Sequence, residues 1–168
     1  MPNRGPRIAF RALEVADLPL VKGWIAQPHW QAWWGAPERE TAELAQSIDS
    51  DAVEPMIVEI DGRPAAMAQS YDPHLEETHP YQDQPFGTLG IDVSIADASD
   101  TGKGLGPAIL ESLAQLLFEE GALRLVIDPA NLRAIRACEK AGFVRLGERA
   151  TPYGRVLLMA RDSDETED

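Results

Sequence analysis

Cysteine is nearly absent. The 168-residue chain has one, Cys138, so no intrachain disulfide can form and no cysteine-rich metal site can be built. That suits a reducing compartment, and the opening MPNRGPRIAF carries no apolar segment of the signal-peptide kind; a cytoplasmic protein is expected. No apolar run approaches the ~18 residues that a membrane-spanning helix needs. Histidines number three, and His74 and His79 stand five apart with no third ligand close in sequence, so no metal is expected. Basic residues are scarce as well: 15 Lys and Arg against 28 Asp and Glu leave a formal charge of −13. That balance disfavours nucleic acid and anionic membranes as partners and is compatible with a cationic small molecule. Part of it lies in DSDETED, Asp162 to Asp168, five carboxylates that read as an acidic, disordered tail.

What is present centres on Thr88 to Glu120. Leu89, Ile91, Val93 and Ile95 alternate with Gly90, Asp92 and Ser94, the period of a strand with one apolar face. Ile109, Leu113, Leu116 and Leu117 fall on one helical stripe, with Glu111, Gln115 and Glu119 turned away. Between them, Thr101-Gly102-Lys103-Gly104-Leu105-Gly106 opens directly into the helix. A helix start offers unpaired N–H groups and the positive end of a dipole, which suits phosphate. Glycines let the backbone approach such a ligand closely. The loop is not a Walker sequence, since no Gly-Lys precedes Ser or Thr, and its glycines are spaced wrongly for the dinucleotide fingerprint.

The rest of the chain reads in order as follows. A strand spans Ile8 to Leu13, and a helix capped by Asp17 runs to about Gln27. Three of the four tryptophans then fall within five positions, Trp30, Trp33 and Trp34. A second helix covers Glu38 to Ser50 with Thr41, Leu44 and Ile48 inward. Strands Met56 to Ile60 and Ala65 to Tyr71 join at Asp61-Gly62, a hairpin signal. Asp72 to Gly87 is one long irregular segment, of the kind that is usually functional or mobile. Beyond the central unit come a strand, Leu123 to Asp128, a helix capped by Asn131 and stopped at Gly142, and a final hairpin across Thr151-Pro152-Tyr153-Gly154. The order β-α-α-β-β-β-α-β-α-β-β supports an α/β or α+β fold. One domain over 1–162 is expected, with the tail at 163–168.

Seven separated blocks stand in one order: Trp33-Trp34-Gly35, Asp61-Gly62-Arg63-Pro64, Ala68-Gln69-Ser70-Tyr71, Gly90-Ile91-Asp92, Gly102 to Gly106, Asn131 to Arg136, and Glu139-Lys140-Ala141-Gly142-Phe143. Together they resemble the GNAT N-acetyltransferases, in particular the aminoglycoside 6′-N-acetyltransferases and more loosely the siderophore-lysine acyltransferases. The resemblance covers nearly the whole chain, from about Phe10 to Arg161. It implies a mixed, mostly antiparallel central sheet flanked by helices. It also implies acetyl-CoA as co-substrate, a primary amine of a small cationic molecule as acceptor, and a monomer or homodimer. The coenzyme would be held by Ile95, Thr101, Gly102, Lys103, Gly104, Leu105, Gly106 and Asn131, with Thr101 standing where the family usually has Arg or Gln. Trp33, Trp34, Tyr71, Asp92 and Asp128 would face the acceptor, with Asp92 and Asp128 as the catalytic carboxylates. The alternatives are a lysine or N6-hydroxylysine acyltransferase of siderophore synthesis, and a non-catalytic acyl-CoA-binding module.

Acyl transfer to an amine requires the ammonium, with a pKa near ~10, to lose its proton. A carboxylate in the cleft can attract the cation and accept that proton. Asp92 lies in mid-strand, costly unless paired or wet; it reads as the base or as a carboxylate holding a neighbouring strand or an arginine. Members of the aminoglycoside branch carry Asp in this Gly-Ile-Asp block, whereas siderophore-lysine members tend to carry His. Asp128, before Pro129, reads as a second cleft carboxylate or as a helix cap. Trp33 and Trp34 read as an acceptor wall or as core. Cys138 stands where the family usually has the tyrosine that protonates the leaving thiolate. A thiol is a weak donor, so it reads as a small core residue or a substitute acid. Tyr81 and Tyr153 are further candidates for the acid in name only.

Overall fold

The computed structural model describes residues 6–32, 34–97, 104–152 and 154–164. Its elements are β1 (Ile8–Ala12), a 3₁₀ turn (Val15–Asp17), α1 (Leu18–Ile25), α2 (Pro28–Gln31), α3 (Pro37–Ser47), β2 (Val53–Ile60), β3 (Arg63–Tyr71), β4 (Thr88–Ile95), α4 (Leu105–Glu119), β5 (Arg124–Ile127), α5 (Leu132–Lys140), β6 (Val144–Thr151) and β7 (Gly154–Asp162). The seven strands form one sheet in the order β1-β2-β3-β4-β5-β7-β6. Every neighbouring pair is antiparallel except β4 and β5. The sequence predicts two helices after the first strand; the structure adds a 3₁₀ turn and the one-turn α2. Gln27 is extended (ψ 148°) because it precedes Pro28, which ends α1 early and starts a fresh turn. Asp17 does not cap α1 with its side chain; its carboxylate instead accepts from Arg11 at 2.8 and 2.9 Å.

The alternation of β2 to β4 divides the core between the two faces of the sheet. Val58, Ala68, Ile91 and Leu125 pack with Ile109 and Leu113 of α4 and Cys138 of α5. Their strand neighbours Ile57 and Met67 pack on the opposite face with Val21, Trp24 and Ile25 of α1, Trp30 of α2 and Leu44 of α3. Each fully buried Leu or Ile contributes about 1.5–3 kcal/mol, so the helices are held mainly by these stripes. A third, smaller cluster joins Tyr81 to Val126, Leu158 and Ala160, with Tyr71 beside it. It fixes the 72–87 segment against the sheet. Asp61 and Gly62 both have positive φ (52° and 84°), the requirement of a type I′ turn between β2 and β3.

The sheet opens at one place. β4 and β5 pair in parallel only from Thr88 to Gly90 and from Arg124 to Val126; beyond that the two strands diverge. The Ala96 N–H donates to Ala65 O at 2.9 Å, so the even-numbered residues at this end of β4 turn their backbone groups toward β3. Val93 and Ile95 therefore turn theirs toward the opening. Both strands run into helices, and the crevice beyond the carboxyl ends of such parallel strands is where ligands bind in open α/β sheets.

Candidate active site

Asp92 projects from the sheet face opposite α4. Its cross-strand partner is Gln69, whose Nε2 donates to Asp92 Oδ2 over a long 3.4 Å. Two residues earlier Gly90 pairs with Tyr71, and the tyrosine ring lies across the glycine: a Cβ there would stand 2.0 Å from the ring. Gly90 also pairs with Val126 of β5, so Asp128, two residues further on, returns to the same face as Asp92. Asp128 is not the cap of α5, because that cap is Asn131, whose Oδ1 accepts from the Ala134 N–H at 2.9 Å. The Asp128 carboxylate instead accepts from the Tyr81 hydroxyl at 2.6 Å. His79 sits between the two tyrosines, its ring 5.1 Å from that of Tyr71 and 5.0 Å from that of Tyr81. β3, β4, the end of β5 and the 72–87 segment thus assemble an acidic, aromatic-walled cleft.

Burial pushes the Asp92 carboxyl up to about 7, and the nearby charge of Asp128 adds to the rise; the hydrogen bond from Gln69 opposes it. Two carboxylates sharing a cleft cannot both ionise easily, the second cause of such shifts. The Tyr71 phenol is raised far above its usual range by burial and then by Asp92 and Asp128. Tyr81 is raised likewise by burial and its bond to Asp128. Both hydroxyls keep their protons, and that of Tyr81 donates to Asp128. Among the described residues no Lys or Arg pairs with Asp92 or Asp128. A carboxylate that titrates near neutrality is suited to accepting a proton, and an uncompensated pair is suited to a cation.

On the other side of the opening, Thr101, Gly102 and Lys103 lie outside the described residues. Gly104 takes the left-handed conformation (φ 80°) and heads α4 with no side-chain cap. A Cβ on it would meet nothing within 4 Å among the described residues, so a side chain's room is left open beside Gly104 itself. Gly106 lies against Ala137 of α5 and Ile95 of β4, which brings the helix start to the mouth of the opening. The Ile95 carbonyl accepts from Trp30 Nε1 at 2.9 Å and lies 3.0 Å from His29 Nε2. These features fit the coenzyme that the sequence implies. An uncapped helix start suits a pyrophosphate, and the gap between the strands offers backbone groups to an extended arm.

Trp33 and Tyr153 lie outside the described residues. Trp34 is partly buried, its ring 5.3 Å from that of Trp30, in the cluster under α1 and α3. Cys138 is 1% exposed, and burial pushes its thiol up to about 12; it sits in the core beneath α5. Among the described residues no group of three His, Cys, Asp or Glu side chains is placed to hold a metal ion. No helix among them is long and apolar enough to cross a membrane. Three contacts at this site are not legible as such in the sequence: Gln69 on Asp92, Tyr81 on Asp128, and Arg149 of β6 on the 72–87 segment, where it donates to Pro80 O at 3.0 Å and Asp83 at 2.7 Å. Gln69 was accessible, since it shares the face of Tyr71 in an alternating strand.

Residues 14–151 match the family described as the acetyltransferase (GNAT) domain. The chain is 33% identical over 176 residues to the aminoglycoside N(6′)-acetyltransferase type 1 of Klebsiella pneumoniae, covering 95% of this chain and 85% of that one. It is 30% identical over 175 residues to the lysine N-acyltransferase MbtK of Mycolicibacterium paratuberculosis, covering 99% and 79%. The crystal structure of the aminoglycoside acetyltransferase AAC(6′)-Ib in complex with coenzyme A and kanamycin superposes with a TM-score of 0.86. It is 32% identical and covers 93% of this chain and 95% of that one.

Proposed function

The chain belongs to the GNAT acetyltransferase family, and from that premise we propose that it moves an acetyl group from acetyl-CoA to a primary amine of an aminoglycoside-like acceptor, at the 6′ position. The observation that carries this reading is the Asp92–Asp128 pair. Two carboxylates share one face of a cleft, with no Lys or Arg paired to them among the described residues. A multiply protonated amine supplies the missing charge. The coenzyme supplies an acetyl group activated as a thioester. Leu105, Gly106 and the residues before them hold its phosphates, and Ile95 and Asn131 border its arm. Asp92 attracts the acceptor ammonium and takes its proton, because a carboxyl titrating at about 7 is ionised often enough to act and basic enough to accept. Asp128 holds a second cationic position. Tyr71 and the Trp33–Trp34 segment bound the acceptor's sugar rings, since aromatic faces suit both sugars and cations.

Free coenzyme A released from acetyl-CoA, measured across kanamycin, tobramycin, N6-hydroxylysine and simple alkylamines, tests the reading. Saturable transfer to the 6′-amine-bearing aminoglycosides is expected. Turnover confined to N6-hydroxylysine would move the chain to the lysine acyltransferases, a reading that its 30% identity to MbtK favours. Saturable coenzyme binding without turnover on any amine would make it a binding module, the reading to which Cys138 lends support.

A further inference from the structure

Asp128 follows the last residue of β5, Ile127, so the strand ladder does not hold it. Nor is it tied to α5, whose cap is Asn131. What holds its carboxylate is a phenol from another part of the chain, Tyr81 in the 72–87 segment, through a 2.6 Å hydrogen bond. We propose that Tyr81 is a positioning residue for the transfer: its hydroxyl keeps the Asp128 carboxylate aimed beside Asp92, so the 72–87 segment sets the second acidic position of the acceptor site. The inference rests on reading the Asp92–Asp128 face as that site.

Tyr81 is itself held firmly enough to do this. It is 2% exposed, and its ring packs with Val126, Leu158 and Ala160. His79 meets it edge-on at 5.0 Å, and its backbone N–H donates to His79 Nδ1 at 3.1 Å. From β6, the Arg149 guanidinium lies 5.6 Å from the ring centroid while donating to Pro80 O and to Asp83. The ring therefore cannot swing away without breaking contacts to both β6 and β7. A phenol so placed donates and does not ionise, and a short bond to a carboxylate fixes the direction in which that carboxylate points. The other charged or titratable groups facing this pair are Asp92 from β4, Tyr71 from β3, Glu76 and His79 from the same segment, and Arg149 from β6.

Tyr81→Phe keeps the ring and removes the donor. In kinetics the acceptor KM should rise about tenfold, the size of a lost bond to a charged group, with the acetyl-CoA KM unchanged. Adding Tyr81→Phe to Asp128→Ala should then cost nothing more. The proposal is overturned if the acceptor KM does not move, or if Tyr81→Phe costs as much in the Asp128→Ala background as in the parent. Should Tyr81→Phe fail to fold, Asp128→Ala cuts the same bond from the other side. The hydroxyl-bearing ring carbon of Tyr81 must then shift, and an unmoved resonance is equally fatal. A parent chain that acetylates no amine would defeat the acceptor-site reading, and the ligand-free Tyr81 resonance, compared between the parent and Asp128→Ala, would still judge the Tyr81 bond on its own.

Discussion

In its proposed role, Asp92 links catalysis to stability with opposite signs. As a base it must be ionised, so kcat/KM for the acceptor should climb with pH through about 7 and then level off. Asp92→Asn should remove that limb and lower kcat/KM by ~10²–10⁴-fold, the usual contribution of general-base help, with coenzyme affinity unchanged. For stability, a carboxyl whose folded value lies above its unfolded one binds its proton more tightly in the native state. Stability therefore declines as pH rises from about 4 to about 7, the window between the two values. Asp92→Asn should accordingly melt higher than the parent at pH 8, by a few degrees, and show no gain at pH 4. A lower melting temperature at pH 8 in scanning calorimetry would instead assign Asp92 a structural pairing. Asp92 was legible because a charge on the polar phase of an alternating strand needs an explanation. Tyr81 was not: its bond spans 47 positions from an irregular segment to a strand end, and no periodicity reports such a contact. Gly90 was likewise unreadable as the seat of the Tyr71 ring. Gly90→Ala should displace that ring and cost about 1–3 kcal/mol by overpacking, measurable by urea unfolding.

At the scale of elements, the unit proposed to carry the coenzyme was the most legible, because three different patterns meet there: period two in β4, glycines before the helix, and a helical stripe in α4. Element ends were less so, and the reasons are local. The strand expected from Met56 starts earlier, at Val53, and takes in Pro55. The missing donor of Pro55 faces the side where Leu13, already past the end of β1, donates to Pro55 O at 3.0 Å, so no ladder bond inside the sheet is lost. The aromatic stretch after α1 hid α2, because a single turn begun by a proline leaves no amphipathic period to detect. Gly104 offers the sharpest element-scale test. Its φ of 80° is strained for any residue with a Cβ, and aspartate would also place a carboxylate where the uncapped helix start presents its positive end. Gly104→Asp should leave the circular dichroism spectrum unchanged while abolishing acetyl-CoA binding by isothermal titration. Binding within threefold of the parent would remove the phosphates from this loop.

Across the whole molecule, the sheet separates two chemistries that meet only at the opening between β4 and β5. One face buries α4 and α5; the other carries α1 to α3 and the acidic cleft. The two co-substrates of the proposed reaction carry opposite charge, and the chain carries a formal −13. A negative field gathers a polycationic acceptor and repels a polyanionic coenzyme, whose binding then depends on short-range contacts at the start of α4. Raising ionic strength from ~10 mM to ~0.1 M shortens the screening length from ~30 to ~10 Å. Over that range the KM for a multiply charged amine should rise several-fold, while the KM for acetyl-CoA should fall or hold. Asp92→Asn should raise the acceptor KM at every salt concentration and leave the slope nearly intact, because it removes one charge from a field summed over the whole chain. Initial-rate kinetics at four salt concentrations, for parent and variant, separate the two contributions. Parallel rises in both KM values would exclude a role for the net charge and confine recognition of the acceptor to the cleft itself.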